Sequence, residues 1–267
     1  MGKAARIARN PGKYLGIARK RALGSAAKLL SRASFRLQGQ MDIHPVSLWH
    51  VSEFTSRFGG FLLPHDTVRR QIVDLEPWDS VRRDMLVLLL RSIIERGVSG
   101  DIAELGVYKG YTAKLFHYYA PERVLHLFDT FGGFDDVDLK EEVRVTGKVD
   151  SPSHFADTSL TAVMDYLSPQ NENVKIYQGL FPKSVPTELC HRRYCLVHLD
   201  ADLYLPIIEG LRYFYSRVTP GGFIVVHDFN AWPGARVAVN EFFSDKPEIP
   251  LPMPDKSGSA VMVKSSY

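Results

Sequence analysis

The chain has 267 residues, 45% of them hydrophobic, and a formal net charge of +3, which suits one large folded core with appendages. Two cysteines, Cys190 and Cys195, do not make a disulfide framework, so we expect a reducing compartment, the cytoplasm. No apolar run reaches the length of a membrane span.

The positive charge is concentrated at the N-terminus. Residues 1–41 contain ten Lys or Arg and no Asp or Glu. The rest of the chain therefore has 23 of the 33 basic residues and all 30 acidic residues, which gives it a net charge of −7. We interpret this segment as a basic arm, with a helix over residues 13–35 that makes peripheral contact with an anionic membrane or a partner. The alternatives are a solvated tail and an organellar transit peptide, which has the same Arg-rich, acid-free composition. No nucleic-acid partner is predicted, and a secretory signal is disfavoured because no continuous apolar core occurs.

Residues 42–75 are mixed in composition, and we interpret them as a cap on the substrate side of a domain that spans residues 76–267. A helix then begins at Asp79 or Ser80 and ends before Gly97. Its predicted apolar stripe consists of Val81, Met85, Leu88, Leu89, Ile93 and Ile94.

A strand, a glycine turn and a helix follow. Residues 102–107 are short and apolar, which is typical of a buried parallel strand. Gly106 and Gly110 bracket the turn, where the absence of a Cβ atom lets backbone approach a ligand. Residues 111–119 have helical spacing. The turn lacks the first glycine of the dinucleotide fingerprint, which disfavours a nicotinamide-dependent oxidoreductase, and no P-loop motif occurs.

Two acidic residues indicate the ligand of this turn. Glu104 opens it and would repel a pyrophosphate, but it suits a ligand with a positive end, such as S-adenosylmethionine. Asp129 follows a second predicted strand, residues 124–128. At that carboxyl end a carboxylate is placed to bind the hydroxyl groups of a ribose. The alternative is an ordinary strand-to-helix turn.

The rest of the chain continues to alternate between predicted strands and predicted helices. Residues 131–156 are too long for a simple connection and are predicted to form a lid or binding loop. Strands alternating with helices predict a three-layer α/β/α sandwich with a mostly parallel sheet. The predicted strands cover residues 174–177, 196–199, 223–226 and an antiparallel 259–264, and the helices cover about 157–167, 206–217 and 234–243.

Six motifs occur in an order that resembles the macrocin/mycinamicin (TylF) O-methyltransferase family over about residues 76–264. They are Glu104-Leu-Gly106-Val-x-x-Gly110, Phe128-Asp129-Thr-Phe-x-Gly133-Phe, Gly179-Leu-Phe-Pro-x-Ser-Val-Pro186, Leu199-Asp200-Ala-Asp202-Leu-Tyr204, Pro220-Gly-Gly-Phe-Ile-Val-Val-His-Asp228 and Asp255-Lys-Ser-Gly-Ser-Ala-Val-Met-Val-Lys264. The resemblance implies a Rossmann-like class I methyltransferase with a seven-stranded sheet. It also implies methyl transfer from S-adenosylmethionine to a hydroxyl group, often on a sugar, with Mg²⁺ bound.

The predicted cofactor residues lie at the ends of the first three strands. Asp129 is expected to bind the ribose, and the others to contact the methionine part, the adenine or the lid. The set is Glu104, Gly106, Tyr108, Gly110, Asp129, Asp157, Ser159 and Gln178. Asp200 is the predicted base, with His154 on the lid as a second candidate. The expected acceptor is a small molecule with a hydroxyl group on a sugar or another natural product. The sequence leaves open whether the chain forms a homo-oligomer.

The predicted metal ligands are Asp200, His227 and Asp228. The family has Asp-Asp at the end of the fifth strand, whereas this chain has His227-Asp228. Imidazole is a poor ligand for Mg²⁺ and favours Zn²⁺, iron or nickel. Either the two aspartates and Asn230 hold the metal, or its identity differs, or it is absent, or His227 has no ligand role. The alternative to an enzyme is an inactive methyltransferase-like binding or scaffold protein.

Overall fold

A computed structural model describes residues 79–169 and 172–266, together with four exposed helical residues in the N-terminal segment, Ala26, Leu29, Leu30 and Ala33. The chain divides into the units Met1–Ser80 and Val81–Tyr267. The predictions for the basic arm and for the cap therefore lie almost wholly outside the described residues.

The second unit alternates strands and helices along the chain. From Ser80 onward the helices are α1 (Ser80–Glu95), α2 (Tyr111–Tyr119), α3 (Asp136–Thr146), α4 (Leu160–Leu167), α5 (Tyr204–Phe214) and α6 (Pro233–Phe243). The strands are β1 (Asp101–Leu105), β2 (Leu125–Asp129), β3 (Val174–Gln178), β4 (Tyr194–Leu199), β5 (Val218–Val226), β6 (Leu251–Pro252) and β7 (Ala260–Val263). Short 3₁₀ helices cover Thr187–His191 and Tyr215–Arg217.

The strands form one seven-stranded sheet in the order β3-β2-β1-β4-β5-β7-β6. All neighbours are parallel except β7, which is antiparallel to β5 and β6. This confirms the predicted α/β fold, including the antiparallel last strand. The strand order reverses between β1 and β4, and in open α/β sheets ligands bind beyond the carboxyl ends of the strands at such a reversal.

The centre of the core is β4, whose residues are all buried. Leu196, Val197 and Leu199 have no solvent exposure, as expected for a parallel strand covered on both faces. Burying an aliphatic side chain of this size stabilises the fold by about 1.5–3 kcal/mol. The strand therefore gives a rigid base to the residues that follow it.

The predicted loop over residues 131–156 contains helix α3. Asp135 caps it by accepting a hydrogen bond from the N–H of Val137 at 2.8 Å, and Gly147 ends it with φ 72°. The buried side chains of this helix are Asp138 and Glu142. An apolar stripe is therefore missing, and without one the helical period is not visible in the sequence.

The predicted stripe of α1 is right only in part. Met85 and Ile93 are buried as predicted, whereas Val81 and Ile94 are 38% and 47% exposed. Leu86 and Leu90, which the prediction left out, are buried. The helix is apolar on more than one side, so composition alone does not select its buried face.

Among the described residues, no helix combines the length and the apolar character that a bilayer crossing requires.

Candidate active site

A cavity of about 250 Å³ opens at the carboxyl ends of β1, β2, β4 and β5. Acidic side chains line it from these strand ends, and aromatic side chains line it from the loops above. They include Glu104, Asp129, Asp200 and Asp228, with Tyr108 and Phe155. The carboxyl ends of parallel strands meet at one edge of the sheet, which is why residues distant in sequence converge here.

Gly106 makes the close approach of β1 and β4 feasible. Its φ is +88°, and a Cβ atom there would lie 2.0 Å from the carbonyl oxygen of Asp200. The backbone of the β1–α2 turn therefore lies directly against the backbone that follows β4. Any larger residue at this position would separate the two halves of the cavity floor.

Asp129 holds the turn in place. Its Oδ2 accepts hydrogen bonds from the N–H groups of Val107 at 2.7 Å and Tyr108 at 2.9 Å, and its Oδ1 accepts one from Phe131 at 2.6 Å. A carboxylate has about four lone-pair positions, so capacity to accept further hydrogen bonds is left. Asp129 thus organises the rim and still faces the cavity.

Glu104 and His198 form a buried pair beneath the cavity. Oε1 of Glu104 lies 3.0 Å from Nδ1 of His198, whereas Oε2 has no hydrogen-bond partner within residues 79–169 and 172–266. Burial, and then repulsion by Asp200, raises the pKa of Glu104 well above its usual value. Burial lowers the pKa of His198 to about 3, so the ring is neutral. A buried carboxyl oxygen without a partner favours a cationic ligand group.

The ring of His227 lies between two carboxylates. Its Nδ1 is 2.8 Å from Oδ1 of Asp200 and 2.7 Å from Oδ2 of Asp228. Arg82 donates to the other oxygen of Asp200 at 3.2 Å. Burial alone would lower the pKa of His227, but Asp200 and the hydrogen bonds to both aspartates raise it to about 10.

The same contacts weaken Asp200 as a base. Burial opposes ionisation, but His227 and Arg82 hold the pKa of Asp200 well below its usual range. A group that binds a proton so weakly accepts one from a hydroxyl group poorly. Asp200 therefore lies at the cavity as predicted, but in a state that suits an electrostatic role better than proton removal.

Two acidic residues that were not predicted as site residues, Asp138 and Asp202, also line the cavity. Burial, then repulsion by Asp228, raises the pKa of Asp202 well above its usual value. Burial, then repulsion by Asp135, raises the pKa of Asp138 to about 7, against the opposing effect of Lys183. Asp202 belongs to a quoted motif and could have been selected, whereas Asp138 becomes visible only once α3 is known.

Four predicted cofactor residues lie outside the cavity lining: Gly110, Ser159, Gln178 and Asp157, the last of which is described with His154 below. Gly110 precedes α2 with φ 78°. The side chain of Ser159 caps α4, accepting from the N–H of Ala162 at 3.2 Å. Gln178 ends β3 and donates to the carbonyl oxygen of Thr130 at 3.4 Å. Each has a local structural role in this arrangement.

Asp157 and His154 occupy the segment between α3 and α4. Asp157 accepts hydrogen bonds from the hydroxyl group of Tyr108 at 2.7 Å and from Nζ of Lys109 at 2.6 Å, and so connects this segment to the β1–α2 turn. His154 is 55% exposed and lies 2.5 Å from Oδ1 of Asp150. Neither side chain lines the cavity.

The predicted metal ligands converge, but their arrangement does not fit Mg²⁺. Ligand atoms of Asp200, His227 and Asp228 lie within 4.8 Å of one another. Mg²⁺ prefers oxygen ligands in near-octahedral geometry at about 2.0–2.1 Å. Here the atom between the two carboxylates is an imidazole nitrogen that is already in hydrogen-bond contact with both.

Comparison with known proteins identifies relatives of this chain. The pattern of the macrocin-O-methyltransferase (TylF) family matches residues 79–264. The mycinamicin III 3''-O-methyltransferase of Micromonospora griseorubida is 29% identical over 170 residues, covering 57% of this chain and 64% of that protein. The demethyldecarbamoylnovobiocin O-methyltransferase of Streptomyces niveus is 26% identical over 166 residues, covering 57% of this chain and 62% of that protein. The matched region thus spans less than two thirds of these relatives.

Solved structures support the fold. The O-methyltransferase NovP superposes with a TM-score of 0.60 at 21% identity, covering 69% of this chain and 79% of that chain. The calicheamicin methyltransferase CalS11 superposes with a TM-score of 0.56 at 20% identity, covering 89% of this chain and 92% of that chain. The architecture is therefore that of class I methyltransferases.

Proposed function

Because the chain belongs to the macrocin O-methyltransferase (TylF) family, we propose that it transfers a methyl group from S-adenosylmethionine to a hydroxyl group of a sugar-bearing small molecule. The observation that carries this proposal is the pairing, in one cavity, of a buried carboxyl oxygen of Glu104, which has no hydrogen-bond partner in the described part of the chain, and the rim carboxylate of Asp129. The relatives that support the sugar acceptor are named for methylating mycinamicin III, demethyldecarbamoylnovobiocin and a rhamnosyl tetracenomycin.

These residues fit the cofactor by charge and by position. We assign the positive end of the cofactor to Glu104, and the ribose hydroxyl groups to Asp129. Hydrogen bonds to a charged group contribute about 1.5–3 kcal/mol each. When bound, S-adenosylmethionine supplies a methyl group already activated on a positively charged sulfur. The chain must therefore align an acceptor oxygen, exclude water and remove one proton.

We assign proton removal to Asp138 or Asp202 rather than to Asp200. A base works best when its pKa is close to the working pH. Asp138 meets this condition, since its pKa is about 7. Asp202 lies beside Asp228 and must first release its own proton. His154 is the weaker candidate because its exposed ring already pairs with Asp150.

Metal assistance stays a prediction from the sequence. The arm of residues 1–41 stays a candidate for peripheral membrane contact of a cytoplasmic enzyme, and homo-oligomer formation is equally open. Neither is needed for the chemistry assigned to the cavity.

The proposal is tested by methyl transfer. The full chain is incubated with methyl-labelled S-adenosylmethionine and a panel of sugar and phenolic acceptors, and labelled product is measured. Turnover of a sugar acceptor supports the proposal. Cofactor binding without turnover of any acceptor would favour the rival function, an inactive methyltransferase-like scaffold.

A further inference from the structure

The carboxylate of Glu142 joins helix α3 to the start of helix α5. Glu142 has no solvent exposure. Its Oε2 accepts a hydrogen bond at 2.8 Å from the backbone N–H of Tyr204, the first residue of α5. Its Oε1 accepts one from the hydroxyl group of Thr146 at 3.1 Å. Because a buried carboxylate is costly unless its oxygens are hydrogen-bonded, these contacts make the side chain a fixed connection between the two helices.

The start of α6 packs against the same carboxylate. A Cβ atom at Gly234 would overlap Oε2 of Glu142 and would lie 2.5 Å from the backbone nitrogen of Tyr204. The N-cap residues of α5 and α6 are Leu203 and Trp232, whose side chains carry no oxygen, and neither helix has Asp or Glu in its first turn. Glu142 therefore supplies, from a third helix, the acceptor and the negative charge that helix N-termini favour.

Both candidate bases are attached to this connection. Asp138 precedes Glu142 by four residues, which places the two side chains on the same face of α3, and both are buried. Asp202 precedes Tyr204 by two residues. Asp138 and Asp202 line the cavity, so the hydrogen bond between Glu142 and Tyr204 sets how close α3 lies to the segment that follows β4.

We propose that Glu142 is a positioning residue that docks α3 on the start of α5 and so holds Asp138 at the cavity. The catalytic consequence rests on the proposed function, in which Asp138 is one of the two candidates for proton removal. The docking does not depend on any reaction. Glu142 acts through Asp138, because it is Asp138 whose side chain lines the cavity.

Hydrogen exchange of the full chain tests the docking without any turnover. In Glu142→Ala, the amides of residues 136–146 should exchange at least about tenfold faster than in the parent chain, whereas those of β2 should keep their rate. Alanine is the better helix former, so faster exchange reports lost docking and not a weaker helix. The matched control is Glu141→Ala, because Glu141 pairs with Arg144 on the exposed side of the same helix. Unchanged exchange of α3 in a folded Glu142→Ala protein would overturn the proposal.

Gly234→Ala disturbs the same contact from α6, and it decides the docking even if Glu142→Ala does not fold. Alanine normally stabilises a helix relative to glycine, but here the added Cβ atom overlaps Oε2 of Glu142. We expect α3 to exchange faster and the unfolding temperature to fall. A Gly234→Ala protein that is more stable than the parent chain, with α3 protected as before, would contradict the docking.

The catalytic part is tested by measuring kcat and cofactor binding separately, with a sugar acceptor that the parent chain turns over. Glu142→Ala should lower kcat at least about tenfold, because Asp138 is displaced. The Kd of S-adenosylmethionine should stay within about threefold, since Glu104 and Asp129 lie on β1 and β2. Glu142→Gln keeps an oxygen that can accept from the N–H of Tyr204, so it should recover most of the lost kcat. Equal losses of kcat in the Gln and Ala variants would contradict a positioning role.

A double-mutant cycle shows whether Glu142 acts through Asp138. In an Asp138→Asn background, the further change Glu142→Ala should have no added effect on kcat, because the group that it positions is already gone. An equal loss of kcat in both backgrounds would overturn this role. If the parent chain turns over no acceptor, it is the proposed function that fails, and the exchange of α3 still decides whether Glu142 docks the helix.

Discussion

Oε1 of Glu104 lies 3.0 Å from Nδ1 of His198, and both side chains are buried beneath the cavity. Because the pKa of Glu104 is raised by burial, this group holds a proton until the pH rises through its raised pKa. A cationic ligand beside Oε2 favours the ionised form and lowers that pKa. If Glu104 holds the positive end of the cofactor as proposed, binding is therefore expected to be coupled to the release of a proton.

The first prediction follows from this coupling. The affinity for S-adenosylmethionine should increase as the pH rises, and calorimetry in two buffers of different ionisation enthalpy should detect proton release. S-adenosylhomocysteine lacks the sulfonium charge and should release less. Glu104→Gln should bind without pH dependence. An unchanged pH dependence in that variant would show that another group is responsible.

The second prediction concerns Asp138 and proton removal. Turnover should rise with pH to a plateau above about 7, since the pKa of Asp138 is raised to about 7. Asp138→Asn should lower kcat by about 10²–10⁴-fold, the usual contribution of a positioned base. Asp136→Asn is the matched control, because Asp136 is exposed on the same helix. Full activity of Asp138→Asn would transfer the role to Asp202, which the corresponding Asn variant then tests.

The third prediction concerns stability and the same carboxyl group. The pKa of Asp138 is raised from 3.8 to about 7 in the folded chain. Its contribution to stability is therefore fully present below pH 3.8 and is lost as the pH rises through about 7, at about 1.4 kcal/mol per pKa unit. Asp138→Asn removes this loss. The free energy of unfolding of the variant should therefore rise relative to that of the parent chain as the pH increases between these two values. Denaturant unfolding at several pH values measures the difference, and parallel curves would contradict the buried, proton-binding carboxyl group.

The fourth prediction concerns the turn after β1. Gly106→Ala places a Cβ atom 2.0 Å from the carbonyl oxygen of Asp200 at φ +88°, so the variant should lose stability and cofactor binding. Gly97→Ala is the matched control, since its φ is +64° but nothing lies within 4 Å of the added atom. That control should show only the left-handed strain of about 1–2 kcal/mol. Equal unfolding free energies for the two variants would mean that the close approach is unimportant.

The fifth prediction concerns residues 1–41, with ten basic residues and no acidic ones. If this arm binds anionic membranes, full-length protein should float with phosphatidylserine liposomes, and a truncation that begins at Met41 should not. Salt should weaken the association, because exposed charges are screened over about 10 Å at 0.1 M. Equal flotation of both proteins, or flotation of neither, would leave the arm without this role.

Local patterns predicted the elements whose buried faces are apolar. The helix at Tyr111–Tyr119 and the position of Asp129 at the end of β2 were predicted closely, because a glycine turn and apolar runs mark them. Helix α3 was missed because its buried face carries Asp138 and Glu142. The contact of His227 with Asp200 joins the ends of two strands, and its geometry depends on side-chain orientation that spacing along the chain does not specify.

The central claim, that the cavity between Glu104 and Asp129 binds S-adenosylmethionine, is tested most directly by calorimetric titration of this cofactor and of S-adenosylhomocysteine into the full chain. We expect one saturable site for each ligand. Asp129→Ala should weaken both because it removes the proposed ribose contact and three backbone hydrogen bonds, whereas the exposed Asp165→Ala should leave them unchanged. Saturable binding with that loss is the predicted result; no binding of either ligand to the folded chain would contradict the account.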